Sequence, residues 1–278
     1  MSSTKLPLSV VIITRNAERT LLQTLMSVMD WADEIVLVDS GSTDETVSIA
    51  QMFGCRVLHR KFDGYGTQKG YAVDQATHDW VLLLDADEVP DMDMQSAIRR
   101  VMQSSPDPRQ AYSLPRSLVF MGRTFRHSGE HRRPVLRLFN RCYGHVSADL
   151  VHEQVKISGT VTPLDGTLLH YSYASLHDYI EKMNRYTSLS AESALAKAVH
   201  AGSPRRAVFR ADSLVMAMRF LTRFTKIYVL KSGFLDGLPG MVWALLSAIY
   251  PVVKHTKEYE KTHHLDKPLR PSAILGLR

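Results

Sequence analysis

Cysteine is scarce. The 278 residues include two, Cys55 and Cys142, which are too few for a disulfide framework and suit a reducing compartment. Long apolar runs are also missing. The longest, Met241 to Val253, is about 13 residues and contains Pro251, short of the roughly 18–20 that a membrane span needs. No secretory signal is expected, because Met1 to Pro7 leads straight into a strand pattern. Internal repeats and low-complexity tracts are absent. Acidic residues are depleted at one end only. From Lys197 to Arg278, 14 Lys and Arg stand against 5 Asp and Glu, so the first 196 residues are slightly acidic and the whole +6 excess lies at the C-terminal end. That asymmetry points to a polyanionic partner surface, either nucleic acid or anionic membrane.

What is present is an ordinary globular composition, 45% hydrophobic and 22% charged, in a length that suits one large domain or one domain with an extension. The first hundred residues alternate strand and helix patterns. Leu8–Thr14, Glu34–Val38, Arg56–His59 and Trp80–Leu84 read as strands. Helical spacing follows Asn16, which can cap a helix; Ser42-Thr43-Asp44-Glu45 is a capping box with Gly54 placed to end its helix; Thr67–Ala76 and Asp91–Met102 are further helices. Strands apolar throughout, alternating with helices, predict a doubly wound parallel sheet. Ser104–Arg109 breaks the pattern. Short strand-like pieces follow (Ala111–Leu114, Ser117–Met121, Val135–Phe139, Val151–Ile157), then two helical segments, Ser175–His200 and Pro204–Lys231. The expected division is a domain over 1–174, parallel in 1–103 and antiparallel or mixed in 104–174, with a helical extension over 175–278.

Three strand ends carry polar residues where open α/β sheets hold ligands. They are Thr14-Arg15-Asn16, Asp39-Ser40-Gly41-Ser42-Thr43-Asp44, and Asp85-Ala86-Asp87-Glu88. Paired carboxylates at a strand end suit a hard cation that takes the rest of its shell from water and phosphate. A Gly turn before a helix N-terminus suits phosphate. Each string alone also reads as a solvated or capped turn.

Taken in order, LSVVIITRN, VLVDSGSTDET and WVLLLDADE resemble the inverting family 2 glycosyltransferases of the GT-A fold. The resemblance covers roughly residues 8–100. It implies a nucleoside-diphosphate-sugar donor, with Thr14 and Asn16 lining the nucleotide pocket, Arg15 reaching the diphosphate, and Asp39 on the uracil or ribose. Asp44 would support that loop, Asp85 would face ribose and metal, and Asp87 would be the direct ligand of Mg²⁺ or Mn²⁺. Lys69, after Gly64-Tyr65-Gly66, is a diphosphate candidate, although Gly70 stands where the family often has Asn. Four later strings, Arg137–Arg141, Val151-His152-Glu153, Leu169-His170-Tyr171 and Lys231–Gly237, resemble more narrowly the bacterial lipopolysaccharide inner-core enzymes that add β-linked glucose from UDP-glucose. An inverting transfer needs a base that reaches the acceptor hydroxyl. Glu153 is the first candidate, Asp149 the second and Glu88 the third. His170 is a candidate for the metal shell. Seven arginines between Arg116 and Arg141 suit the phosphate and carboxylate of such an acceptor, with Arg132, Arg137 and His152 as acceptor contacts.

Leu214–Leu230 is amphipathic, with Arg219, Arg223 and Lys226 on one stripe, and Met241–Tyr250 has aromatic ends. An interfacial helix on an anionic membrane is one reading; a helical extension packed on its own core or a second subunit is the other. A lipid-linked saccharide acceptor would place the enzyme in the cytoplasm, peripherally on the inner face of the membrane. Nucleic acid is not expected, since no groove-reading or base-stacking motif accompanies the basic residues. No oligomeric state is implied.

Overall fold

A computed structural model describes residues 5–147, 154–173, 175–200 and 213–263. The chain divides into two compact units, Met1–Arg126 with Glu130–Ala174, and His127–Gly129 with Ser175–Arg278.

The first unit opens with β1 (Leu6–Thr14), α1 (Glu18–Met26), β2 (Ala32–Asp39), α2 (Thr46–Met52), β3 (Arg56–His59), α3 (Tyr65–Asp74), β4 (Trp80–Asp85), β5 (Glu88–Pro90) and α4 (Met92–Gln103). It continues with β6 (Gln110–Phe120), β7 (Arg123–Thr124), β8 (Arg133–Asn140), β9 (Gly144–Val146), β10 (Val155–Ile157), β11 (Thr160–Pro163) and β12 (Leu168–His170). The main sheet runs β3-β2-β1-β4-β8-β6-β12-β5. Strands β3, β2, β1 and β4 are mutually parallel. Strand β8 is antiparallel to both β4 and β6, while β12 is parallel to β6 and antiparallel to β5. This is the expected α/β architecture, a parallel half joined to a mixed half.

Both faces of the parallel half are covered. Leu8, Val10, Ile12, Leu37, Leu82 and Leu84 pack with Leu21 and Leu25 of α1 and Met94 and Ile98 of α4. The alternate residues Val11, Val36, Val38, Val81 and Leu83 pack with Ala72 and Val73 of α3. The period-two alternation of a strand sends successive side chains to opposite layers. At about 1.5–3 kcal/mol for each large aliphatic side chain buried, these layers fix the strand register. That register sets Thr14 beside Asp39 and Ile13 beside Asp85, which brings three strand ends level.

Local details depart from the sequence reading. Asn16 does not cap α1; it sits at φ 51° and its Oδ1 accepts from the Thr43 amide (2.9 Å). The capping box does not form either, because the Ser42 hydroxyl donates to Asp39, and α2 starts later, at Thr46. Strand β6 is one strand rather than two pieces. Strands β5 and β12, three residues each, pair with one another and have no visible period.

The second unit holds α5 (Leu176–His200), α6 (Ser213–Thr225), a π-helical turn (Lys226–Leu230), a 3₁₀ turn (Gly233–Asp236) and α7 (Gly237–Thr262). Gly240, Ala244, Ser247 and Ala248 of α7 are buried. Lys257 donates to the backbone oxygen and Oδ1 of Asn184 (both 2.6 Å) and to the hydroxyls of Thr187 and Ser188 on α5. Arg219 of α6 meets His255 Nε2 (2.6 Å), whose Nδ1 meets Glu258 (2.7 Å). By length and composition, Gly233–Thr262 is apolar enough to cross a membrane, and about 28% of its most apolar stretch is buried. Within Met241–Tyr250, Trp243 lies edge-on to Tyr179 of α5 (5.7 Å) and Tyr250 meets Ser190.

Candidate active site at the strand ends

Two polar networks form at the ends of β1, β2 and β4. The first cross-links the β1 and β2 loops. Asp39 is buried and accepts the amides of Gly41 (2.9 Å) and Ser42 (3.0 Å) and the Ser42 hydroxyl. A carboxylate has about four acceptor positions, so Asp39 spends three on shaping its own loop. Gly41, at φ 86°, makes that turn possible without a Cβ penalty. Ser42 in turn accepts the Asn16 amide (2.8 Å), and Thr46 accepts the Ala17 amide (2.7 Å). Asp44 accepts the amides of Glu18 (3.2 Å) and Thr46 (3.1 Å). Partial burial opposes its charge, but the Thr46 and Glu18 hydrogen bonds outweigh that and hold its carboxyl below the usual range. Thr14 is buried at the base of this network with its hydroxyl unpaired, and Arg15 is exposed.

The second network centres on Asp85. Its Oδ1 meets Lys69 Nζ (2.8 Å) and its Oδ2 meets Arg137 Nη2 (2.7 Å). The same Arg137 nitrogen reaches Glu88 Oε1 (2.7 Å), which also accepts Arg116 (3.0 Å), while Glu88 Oε2 accepts the Asp85 amide (3.1 Å). Burial works against the charge on Asp85, yet Arg137 and Lys69 more than offset it and hold the carboxyl far below the carboxylate range. Arg137 answers in kind: Asp85 and Glu88 overcome its burial and raise its basicity further. Three cations face two carboxylates here, an excess of one positive charge. Lys69, Asp85, Arg116 and Arg137 line a cleft of about 430 Å³, together with Val146, Gln154 and Val155.

Beside this network, Asp87 Oδ1 lies 3.5 Å from His170 Nε2, both side chains partly exposed. The pairing of β12 with β5 sets His170 opposite Glu88 and brings it to the strand end. One carboxylate and one imidazole are a suitable start for a Mg²⁺ or Mn²⁺ shell completed by phosphate and water. Among the described residues no group of three or more His, Cys, Asp or Glu forms a closed metal cage. Asp85, read from sequence as a second ligand, has its two oxygens on Lys69 and Arg137, while Asp87 stands beside His170.

The structure thus gathers Thr14, Asn16, Asp39 and Asp44 into one network, Lys69, Asp85 and Arg137 into another, and Asp87 with His170. Arg137, read from sequence as an acceptor contact, is buried against Asp85. Glu88 is fully buried and ion-paired, neither a surface residue nor open to an acceptor hydroxyl. Arg132 is exposed and donates to the Gly166 carbonyl (3.1 Å). The arginine cluster disperses: Arg116 and Arg137 line the cleft, whereas Arg133 pairs with Glu130 and Arg141 with Asp79. Asp149, His152 and Glu153 lie outside the described residues. Sequence reasoning passed over Arg116 as an individual, and Gln68, whose Nε2 donates to Ser40 Oγ (3.1 Å) from a fully buried side chain. Its place beside Lys69 was the available signal.

The glycosyl transferase family 2 profile matches residues 9–145. A lipopolysaccharide core biosynthesis glycosyltransferase, LpsC of Rhizobium meliloti, is 30% identical over 261 residues, covering 90% of this chain and 94% of the relative. Among solved structures, mannosyltransferase PcManGT from Pyrobaculum calidifontis, in complex with GDP-Man and Mn²⁺, covers 94% of this chain and 89% of its own at 16% identity and a TM-score of 0.49. Glucosyl-3-phosphoglycerate synthase from Mycobacterium tuberculosis, in complex with Mn²⁺, UDP and glucosyl-3-phosphoglycerate, covers 40% of this chain and 44% of its own at 22% identity and a TM-score of 0.34. The chain belongs to glycosyltransferase family 2.

Proposed function

We propose that the protein is an inverting transferase that moves a hexose, glucose first, from a UDP-sugar to a lipid-linked saccharide of the lipopolysaccharide core type. The observation that carries this reading is the Lys69–Asp85–Arg137 array at the carboxyl end of β4, level with the cross-braced Asn16–Asp39–Asp44 loops. LpsC supports the acceptor class, and the narrower likeness of the later motifs supports the sugar.

In this reading the Asp39 loop holds the nucleoside, Asp39 using its remaining acceptor position, and Arg15 approaches the diphosphate from its exposed place. Lys69 and Arg137 turn part of their charge from Asp85 to the diphosphate as it enters the cleft. A divalent ion held by Asp87 and His170 would draw negative charge from the departing nucleotide. Arg116 and Arg132 are left for anionic groups of the acceptor. The base is assigned to Glu153, with Asp149 second. Ser147 and Gln154, the described residues on either side of residues 148–153, are hydrogen-bonded to each other (2.8 and 3.0 Å), and Gln154 lines the cleft. A carboxylate in that segment removes the acceptor proton as the oxygen attacks opposite the leaving diphosphate.

Calorimetry with UDP, UDP-glucose, GDP and CMP, each with and without Mg²⁺ or Mn²⁺, tests the assignment. Uridine-selective, metal-enhanced binding that loses its metal dependence in Asp87→Ala is the expected result. No nucleotide binding by the intact chain would overturn it. Glu153→Gln should retain donor binding and lose transfer.

A further inference from the structure

The corner between α6 and α7 combines features that its own unit leaves unused. Within the ten residues from Val229 to Leu238, the side chains of Val229, Leu230, Phe234, Leu235 and Leu238 are each about half exposed or more, with Leu230 at 76%. Such a concentration is uncommon on a free soluble surface. The corner is also rigid. Lys231 donates to the Lys226 carbonyl across the π turn (3.0 Å). Asp236, itself buried, accepts the His127 amide (3.1 Å) and the Ser128 hydroxyl (2.9 Å). Gly240 lies so close to the Gly233 carbonyl that a Cβ would come within 2.0 Å of it. The apolar side chains therefore stand on a preorganised support.

Charge identifies the occupant. From Ser213 to Val253 the sole acidic residue is Asp236, and it is spent inside the corner. Arg223, Lys226 and Lys231 are exposed around it. An exposed apolar stretch with exposed cations close by in sequence, and no exposed carboxylate between Ser213 and Val253, matches an anionic bilayer surface, in which apolar side chains enter the acyl boundary and Lys and Arg meet the headgroups.

We propose that residues 229–238 form a membrane-inserting wedge for an anionic leaflet, and that this corner, not the face of α7, makes the attachment. It rests on the lipid-linked acceptor reading only for its usefulness; the surface itself is read from the second unit. The wedge enters a few ångströms and does not span. The packed small residues and the Lys257 and His255–Glu258 contacts keep α7 within its own unit.

The test is flotation of the full-length chain with vesicles of phosphatidylcholine, with and without phosphatidylglycerol. Binding is expected for the anionic vesicles and should fall with salt. Leu230→Ser with Leu238→Ser should weaken it roughly 30-fold, from the lost burial of two leucines. Arg223→Gln with Lys226→Gln should weaken it about 30-fold on anionic vesicles alone. Leu230→Trp supplies an independent readout, a blue-shifted emission on vesicle addition. Wild-type binding that is absent, or unchanged in the leucine pair, overturns the wedge, as does unshifted emission. So does a dimer in sedimentation velocity that the leucine pair dissociates without affecting vesicle binding, which would mark the corner as a contact between copies. UDP binding measured on the same samples separates the two readings: its retention while vesicle binding fails rejects the wedge alone, and its absence with vesicle binding intact rejects the donor site alone.

Discussion

Glu88→Gln is the sharpest probe of the strand-end cluster. The native carboxylate is fully buried and accepts three hydrogen bonds, from Arg137, Arg116 and the Asp85 amide. Glutamine keeps the shape but offers one oxygen. Whichever way the amide turns, its NH₂ faces a donor, either the Asp85 amide or the two guanidinium groups. The variant also leaves Lys69, Arg116 and Arg137 facing Asp85 alone. Removing one partner of a buried pair costs about 3–5 kcal/mol. Arg137 keeps Asp85, and Arg116 is a quarter exposed, so the lower end, about 3 kcal/mol, applies. For a unit of this size that is a fall in Tm of roughly 6–12 °C. Arg133→Gln, which breaks the exposed Arg133–Glu130 pair, is the control and should cost less than about 1 kcal/mol. Thermal and urea unfolding of the two variants side by side is the assay. Adding Arg116→Gln to Glu88→Gln should recover part of the loss, since contacting groups couple. A Glu88→Gln protein as stable as Arg133→Gln would refute the view that this carboxylate organises the cluster.

Two further outcomes follow from local structure. Cys55 is buried, and burial pushes its thiol up to about 11 from the ordinary 9.0. A raised folded-state value means that its contribution is complete below pH 9 and is lost as pH climbs towards 11, where the unfolded chain has already released the proton. Wild type should therefore lose about 2 kcal/mol more than Cys55→Ala over that window, after allowing for residual solvent contact, and equal alkaline slopes would reject this; native-state alkylation should meanwhile modify the exposed Cys142 and spare Cys55. Gly240→Ala should destabilise the second unit while leaving UDP binding intact, because its methyl meets the Gly233 carbonyl; circular-dichroism melting with calorimetry distinguishes this from an effect on the donor site.

The parallel half was legible because its signals are long and repeated. Runs such as Leu8–Thr14 and Trp80–Leu84 are too apolar for anything but strands covered on both faces, and polar residues mark where each ends. The polar residues at those ends came with them. What could not be read was partnership. Nothing local distinguishes Arg137 from Arg133, yet one is buried on Asp85 and the other pairs at the surface, because only the pairing of β8 with β4 and β6 decides which arginine faces the cleft. Glu88 looked like the tail of an acidic string until the three-residue β5 joined β12. Asn16 and Ser42 have capping chemistry, but backbone amides 26 or 27 residues away donate to their side-chain oxygens instead. In the second unit the amphipathic stripe was visible, whereas the corner that concentrates exposed leucines depends on a π turn and a buried aspartate with no sequence period.

The mutual pairing of Lys69, Asp85, Arg137 and Glu88 has a consequence for the working cycle. Because both carboxylates at the strand end are already paired by the protein's own cations, the protein has no need of a ligand to be folded there. Folding and loading become separable events. On the proposed reading, stripping metal or nucleotide would silence the enzyme without loosening it, and an arriving diphosphate would meet not an open basic pit but a set of cations that change partners. Such an exchange keeps the hold on the spent nucleotide modest, which lets each turnover end.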